Sequence, residues 1–146
     1  MVTLEKITEK TLYKCLGMKV EESQKSFVAS NAFSLAEAWM YGDCARPFLI
    51  VADGEPVGFF MGSVEPAKPY PKYGIWRLMI DQKHQGKGYG RQGLNLAIEY
   101  LKGEGAKEIF LSYEPENVNA AKLYESVGFV LTGEVDDGEV VAKLTV

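Results

Sequence analysis

The glycine-rich turn within residues 75–101 is the feature that most constrains how this chain can fold. An apolar run precedes the turn and an amphipathic stretch follows it, a pattern that predicts a strand, a turn and a helix. Glycines alternate with other residues in the turn, and two cations accompany them: Gly86, Lys87, Gly88, Gly90 and Arg91. Glycine allows a sharp turn and a close approach of the backbone to a ligand. Because a helix that begins there presents free N–H groups and the positive end of its dipole, the turn predicts a phosphate site.

Two familiar phosphate-binding motifs do not match the spacing of this turn. A Walker P-loop needs Ser or Thr directly after its glycine and lysine, whereas Gly88 follows Lys87, and no glycine stands at position 81. A dinucleotide fingerprint begins directly after its strand and has an acid at the end of the next strand. Here seven residues separate Ile80 from Gly88, and Glu108 stands before the next apolar run. The G-x-G-x-x-G match from Gly88 to Gly93 is therefore accidental.

Composition limits the classes of protein to which the chain can belong. A chain of 146 residues is expected to form a single domain, residues 1–146, because domains commonly hold about 100–200 residues. The formal net charge of −4 argues against a nucleic-acid partner and favours a small cationic one. Cys15 and Cys44 follow no disulfide or metal pattern, and His84 is the only histidine, so no metal site is expected. No signal peptide or membrane-spanning run is visible, which predicts a cytoplasmic protein without a membrane partner.

Periodicity and turn signals predict an alternation of strands and helices along the chain. From the N-terminus, the predicted elements are a short strand in residues 1–6, a helix in 8–16, and a helix that a capping box opens at Ser34 and Glu37 and that runs through Tyr41. They continue with a hairpin of strands 48–52 and 57–64 around Asp53-Gly54 and with a loop marked by Pro66, Pro69 and Pro71. The last elements are a strand in 73–80, a helix ending at Gly103, a strand in 108–113, a helix capped by Asn117 or Asn119 and closed by Gly128, and a strand after Asp136-Asp137-Gly138.

The strand in residues 73–80 is expected inside the sheet, because it is apolar on both faces except at Arg77. The helix after it has one apolar stripe that should face the core: Leu94, Ala97, Ile98 and Leu101. Since a single helix connects strands 73–80 and 108–113, these strands should be parallel neighbours. Gly58 and Gly62 predict a bend or a close backbone contact in the preceding strand.

Two motifs resemble those of the GNAT family of N-acetyltransferases. Gln85-x-x-Gly88-x-Gly90, after a strand, resembles the acyl-CoA-binding signature of that family. A second motif lies in the last predicted helix: Asn117-x-x-Ala120-x-x-Leu123-Tyr124-Glu125-x-x-Gly128-Phe129. The resemblance covers residues 48–146 and implies an α/β (α+β) fold, with a mixed, mostly antiparallel central sheet and helices on both faces. It also implies that strands 73–80 and 108–113 diverge at their C-terminal ends to admit the pantetheine arm of the cofactor.

The same resemblance implies acetyl-CoA as co-substrate and assigns roles to particular residues. Tyr124 occupies the position of the family's general acid, and a phenol keeps its proton at neutral pH. Glu114 is a candidate for holding the water that takes the proton of the acceptor, although it could instead cap the dipole of the helix at Asn117. The residues expected to bind the cofactor are Leu78, Met79, Ile80, Gln85, Gly86, Lys87, Gly88, Tyr89, Gly90, Arg91, Asn117 and Lys122.

A narrower likeness, to the bacterial spermine/spermidine (diamine) acetyltransferases, lies in residues 77–81, 85–88, 111–112 and 133–139. It implies a polyamine acceptor, for which the carboxylates considered are Glu22, Glu37, Asp43 and Asp81. Lys83 and His84 suit phosphates better than polyamines. Acetylation of a protein N-terminus or lysine, and a non-catalytic acyl-CoA-binding regulatory module, are the alternatives. A homodimer is possible from the family.

Overall fold

The computed structural model describes residues 1–64 and 72–146, so the three prolines of the predicted loop lie outside the described residues. The elements are β1 (Val2–Glu5), α1 (Leu12–Gly17), α2 (Asn31–Met40), β2 (Ala45–Ala52), β3 (Glu55–Ser63), β4 (Gly74–Ile80), α3 (Tyr89–Gly103), β5 (Glu108–Tyr113), α4 (Val118–Ser126), β6 (Val130–Asp136) and β7 (Glu139–Thr145), with 3-10 turns at Glu22–Gln24 and Gln82–His84.

The strands form one sheet in the order β1-β2-β3-β4-β5-β7-β6. Among the strands that the structure describes, β4 and β5 run parallel and the other neighbours are antiparallel. One core joins α3 and α4 to the sheet through side chains such as Leu94 and Leu101. A second core joins α1 and α2 to side chains of the opposite face, including Leu49 and Phe59. The predicted fold class, a mixed and mostly antiparallel sheet with helices on both faces, is confirmed.

Two tight hairpin turns follow from the Asp-Gly pairs in the sequence. Asp53 and Gly54 have φ of 49° and 83°, and Asp137 and Gly138 have φ of 49° and 81°. Positive φ at both central positions is typical of the type I′ turn, whose twist matches that of the strands it joins. The second turn connects β6 to β7, and β6 is a strand that the sequence analysis did not predict.

The start of α2 differs from the prediction. Ser30, not Ser34, caps this helix, because the Ser30 Oγ accepts a hydrogen bond from the Phe33 N–H at 3.1 Å. Ser34 is buried inside the helix and donates to the Ser30 carbonyl. The predicted capping box is therefore wrong, since Glu37 bonds Arg77 instead of closing back on a helix start. The first helix likewise begins later than predicted, at Leu12.

β4 and β5 separate soon after they meet. Gly74 and Phe110 form the pair between them, supported by a hydrogen bond from the Phe110 N–H to the Tyr73 carbonyl at 2.9 Å. On its other edge β4 carries a bulge at Trp76, where the partners of Met61 and Gly62 are Arg77 and Ile75. A bulge bends the strand that contains it. The predicted divergence of the two strands is thus present.

Cys15 and Cys44 are free and buried, and burial raises the pKa of the Cys15 thiol to about 11, so it stays protonated. In residues 1–64 and 72–146, no helix is long and apolar enough to cross a membrane. No group of side chains suited to a metal ion occurs in these ranges.

Candidate active site

The glycine turn forms the entrance to α3 as the sequence predicts. Gly88 is the N-cap residue, with φ of 84°, and Gly86 has φ of 79°. These left-handed conformations are the ones that residues other than glycine rarely adopt. Nothing lies within 4 Å of the position of a Cβ at Gly86. Because the first N–H groups of a helix have no partner within it, the turn presents free amides at an open surface.

Gln85 fastens the turn to two other parts of the chain. Its Nε2 donates to the Ile80 carbonyl at the end of β4 and to the Gln24 Oε1 in the N-terminal segment, both at 3.0 Å. The motif glutamine therefore determines where the turn lies relative to β4. It also connects the turn to residues that precede α2, a contact that the sequence did not indicate.

The edge of β4 that faces β5 presents backbone donors to the gap between the strands. The Ile80 carbonyl bonds Gln85, and the Asp81 N–H bonds the Val57 carbonyl of β3. Alternate residues of a strand direct their backbone groups to the same side, so the N–H groups of Ile80 and Leu78 point away from β3. In the described part of the chain, no strand pairs with this stretch of the edge.

Two cavities meet at α4. The small cavity, of about 250 Å³, is lined by the glycine turn, the end of β4 and the start of α4. The large cavity, of about 1050 Å³, extends between β4, β5 and the β6–β7 hairpin. Both are lined by the same six residues at their junction: Phe27, Val28, Leu78, Asn117, Ala120 and Tyr124. A ligand in the small cavity can therefore contact a second ligand in the large one.

Tyr124 stands at this junction on α4. Its ring packs against those of Tyr113 and Phe129, with centroids 5.5 Å and 5.9 Å away. Burial raises the pKa of Tyr124 to about 12, and the charges of Tyr113 and Glu139 add to the rise. The hydroxyl thus carries a proton throughout the neutral range. Asn117, the N-cap of α4, accepts from the Ala120 N–H at 3.3 Å and so orients the helix that carries Tyr124.

A protein-family model that matches most of the chain agrees with this geometry. The model described as "Acetyltransferase (GNAT) family" matches residues 12–129, most of the chain. The chain belongs to this acetyltransferase family. It is an acetyl-CoA-dependent N-acetyltransferase, which sets aside the alternative of a non-catalytic module.

Individual relatives agree with this assignment. The GNAT enzyme is 29% identical, over 92% of its length and 91% of the relative's, to a spermine/spermidine N(1)-acetyltransferase of Bacillus subtilis. Its fold is similar to that of a domain from Methanocaldococcus jannaschii, with a TM-score of 0.78 at 19% identity, covering 100% and 99% of the two chains. It is also similar to a spermidine N-acetyltransferase from Vibrio cholerae solved with CoA and spermine, with a TM-score of 0.75 at 21% identity, covering 99% and 94%.

Most of the residues expected to bind the cofactor lie together. Nine of them line the small cavity: Leu78, Met79, Ile80, Gln85, Gly86, Gly88, Tyr89, Gly90 and Asn117. The other three do not line it. Arg91 donates to the Ser126 Oγ at 2.7 Å and joins α3 to α4, while Lys87 and Lys122 are exposed on the surface.

The lining of the small cavity has the chemistry that the diphosphate and pantetheine parts of an acyl-CoA thioester need. The positive φ of Gly88 and the open space at Gly86 leave the helix start accessible to a diphosphate. The free N–H groups of Leu78 and Ile80 along β4 suit the amide carbonyls of a pantetheine chain.

The carboxylates proposed for the acceptor are distributed differently from the prediction. Among the described residues that line the two cavities, none is Glu22, Glu37, Asp43 or Asp81. Glu22 is exposed and pairs with Lys25 at 2.8 Å, and Asp43 is exposed beside α2. Glu37 pairs with Arg77 at 2.5 Å. Asp81 is buried and accepts from the Lys19 N–H. The structure therefore does not bring these four carboxylates together.

Other acids occupy the large cavity instead, namely Glu114, Glu134, Asp136, Asp137 and Glu139. Of these, only Glu114 is a site residue that the sequence predicts. The sequence signal for the other four acids is the segment of residues 133–139, which resembles the polyamine enzymes. The sequence does not predict that these acids reach the cavity, because the hairpin that brings them there requires β6.

Replacing Gly88 with alanine is expected to loosen the cofactor turn. A φ of 84° costs an alanine about 1–2 kcal/mol, so the free energy of unfolding should fall by about that amount. The KM for acetyl-CoA should rise several-fold because the amides move. Chemical denaturation and steady-state kinetics measure the two effects. Gly90→Ala is the control for stability, since its Cβ would meet its nearest atoms at 3.9 Å. An equal loss of unfolding free energy in Gly88→Ala and Gly90→Ala would contradict the role of the positive φ at Gly88.

Proposed function

We propose that this enzyme transfers the acetyl group of acetyl-CoA to a primary amine of a polyamine or diamine. The observation that carries the proposal is the large cavity, which has five carboxylates among the described residues of its walls and meets the small cavity at Tyr124. Cationic chains need carboxylates spaced along a groove that ends at the reacting group. The B. subtilis relative, named for spermine and spermidine, supports the same acceptor class.

The two cavities support direct attack in a ternary complex. Because they share Leu78 and Tyr124, donor and acceptor can be bound at the same time with their reacting ends at the junction. No covalent acetyl-enzyme is needed. Intersecting initial-velocity lines are expected when both substrates are varied, whereas parallel lines would contradict direct attack.

The residues that line the two cavities have separate roles in the proposed reaction. Acetyl-CoA supplies an acetyl group activated as a thioester. The free N–H groups of Leu78 and Ile80 stabilise negative charge on an oxygen held beside β4. Glu114, on the wall of the large cavity, holds a water that accepts the proton of the acceptor. The Tyr124 hydroxyl donates its proton to the leaving sulfur, for which its raised pKa keeps it available.

A peptide amine is the second candidate acceptor. Lys72 and Arg77 also line the large cavity, and Arg77 Nε is buried without a hydrogen-bond partner among the residues that the structure describes. A peptide carbonyl can accept a hydrogen bond from the exposed Lys72 ammonium, whereas a protonated polyamine cannot. Glu37 nevertheless pairs with the Arg77 Nη2, which offsets much of the repulsion toward a cation.

An acceptor panel tests the proposal. Purified enzyme is supplied with acetyl-CoA and, separately, diamines, spermidine, spermine, peptides with free N-termini and lysine peptides, and CoA release is followed. A higher kcat/KM for polyamines than for every peptide is expected. A preference for peptides would replace the proposed acceptor with the second candidate. The homodimer and the cytoplasmic location stay predictions.

The pH dependence of kcat should reflect the raised pKa of Tyr124. An alkylammonium acceptor has a pKa of about 10.4, so the rate should rise with pH toward that value as free amine becomes available. Loss of the Tyr124 proton should lower the rate only near pH 12, because its pKa is about 12 and not that of an ordinary phenol. Rates measured from neutral pH to about 10.5 should therefore show no descending limb. A descending limb centred near the pKa of an ordinary phenol would contradict the burial of Tyr124.

A further inference from the structure

The first residue of β7, Glu139, combines several contacts that the proposed mechanism does not use. Glu139 lines the large cavity and is half-buried, whereas Glu134, Asp136 and Asp137 are exposed. The Ser112 Oγ of β5 donates a hydrogen bond to the Glu139 Oε1 at 2.8 Å. This contact holds the carboxylate in one position, unlike those of the exposed acids of the hairpin.

Glu139 and Tyr124 line the same large cavity. In the β5–β7 pair, Tyr113 lies opposite Val140, the residue after Glu139. Because successive residues of a strand point to opposite faces, the Glu139 side chain lies on the sheet face opposite to that of Tyr113, which is the face of its partner Ser112. The negative charge of Glu139 adds to the rise in the pKa of Tyr124, after burial and Tyr113.

Two carboxylates face each other in the hairpin, and neither has a cationic partner in the described part of the chain. Asp136 lies directly opposite Glu139 in the β6–β7 ladder. Like charges in directly opposed positions are destabilising. Within residues 1–64 and 72–146, no lysine, arginine or histidine forms an ion pair with either carboxylate. A bound cation would relieve this repulsion.

We infer that Glu139, held by Ser112, binds the ammonium group of the acceptor that is to be acetylated and places its nitrogen beside Tyr124. Glu114 then keeps the separate task of holding the proton-accepting water. The inference rests on the proposed function to the extent that the acceptor is a primary alkylammonium. It applies equally to a diamine and to a peptide amine, because both bring that group into the large cavity.

Glu139→Gln tests this role, because it keeps the size and the acceptor oxygen of the side chain while removing its charge. With the best acceptor of the panel, KM should rise about 10- to 100-fold, the factor that corresponds to one hydrogen bond to a charged group. The KM for acetyl-CoA should stay unchanged. Glu114→Gln should instead lower kcat more than it raises the KM of the acceptor. Glu9→Gln, at an exposed carboxylate that lines neither cavity, controls for net charge.

The possible results distinguish a failure of this inference from a failure of the proposed function. A rise of less than about three-fold in the acceptor KM of Glu139→Gln, far below the value of a charged hydrogen bond, would overturn the inference. An equal rise in the acceptor KM of Glu114→Gln would also overturn it. If Glu139→Gln does not fold, Ser112→Ala replaces it, since it keeps the carboxylate but frees it, and an unchanged acceptor KM there would also overturn the inference. Failure of the proposed function is distinct, because it appears as absent polyamine turnover in the unaltered enzyme.

Discussion

Replacing Tyr124 with phenylalanine is expected to lower kcat by about 100- to 1,000-fold, the contribution of a positioned general acid. In the proposed mechanism the substitution removes the proton that the leaving sulfur takes, while the ring keeps its contacts with Tyr113 and Phe129. Affinity for CoA and the free energy of unfolding should change little, because the proposed role of the hydroxyl comes late in the reaction. Steady-state kinetics and calorimetric titration with CoA measure the two quantities.

Tyr113→Phe is the matched control for this experiment. Tyr113 is an aromatic neighbour of Tyr124, is buried, and also lines the large cavity, but no step of the proposed mechanism uses its hydroxyl. Its kcat should stay close to that of the unaltered enzyme. If Tyr124→Phe kept half of the original kcat, or if Tyr113→Phe lost as much, Tyr124 would not be the general acid.

Replacing Gly58 with alanine is expected to lower the free energy of unfolding by about 2–3 kcal/mol, the cost of overpacking a filled core. A Cβ at this position would lie 2.4 Å from the Met79 carbonyl oxygen and 2.8 Å from the Ile80 Cδ1. The carbonyl belongs to the paired edge of β4 and can move only if the strand moves. Because β4 also carries the free N–H groups of Leu78 and Ile80, the KM for acetyl-CoA should rise as well.

Gly103→Ala provides the comparison for that stability measurement. No atom outside its own helix lies within 4 Å of a Cβ at Gly103, and its φ is not positive. Alanine there should raise the free energy of unfolding by about 0.4–1 kcal/mol, because it restricts the unfolded chain. Urea denaturation of both variants gives the two values. A Gly58→Ala protein as stable as the unaltered one would show that β4 yields to the added carbon.

The elements that the sequence predicted correctly are those with strong local signals. The stripe from Leu94 to Leu101 is buried, Asn117 caps α4, and Asp53-Gly54 forms the first hairpin turn. The prediction that Ser34 caps α2 was wrong because Ser30 and Ser34, four residues apart, are both suitable N-cap residues. Packing decided between them, because Ser34 is buried. Strand β6 was missed because its Val130 and Leu131 are exposed, without the alternation of a half-buried strand.

The sequence by itself determined the order of all the strands and helices except β6, the glycine turn from Gln85 to Gly90 and the family to which the chain belongs. These depend on residues close together in the chain, whose spacing is directly readable. Only the tertiary structure decided which carboxylates reach the large cavity. Glu139 and Ser112 are 27 residues apart, and β5 and β7 must pair before the two side chains meet. Glu37, by contrast, is engaged by Arg77 through the packing of α2 on the sheet, a contact that spans 40 residues.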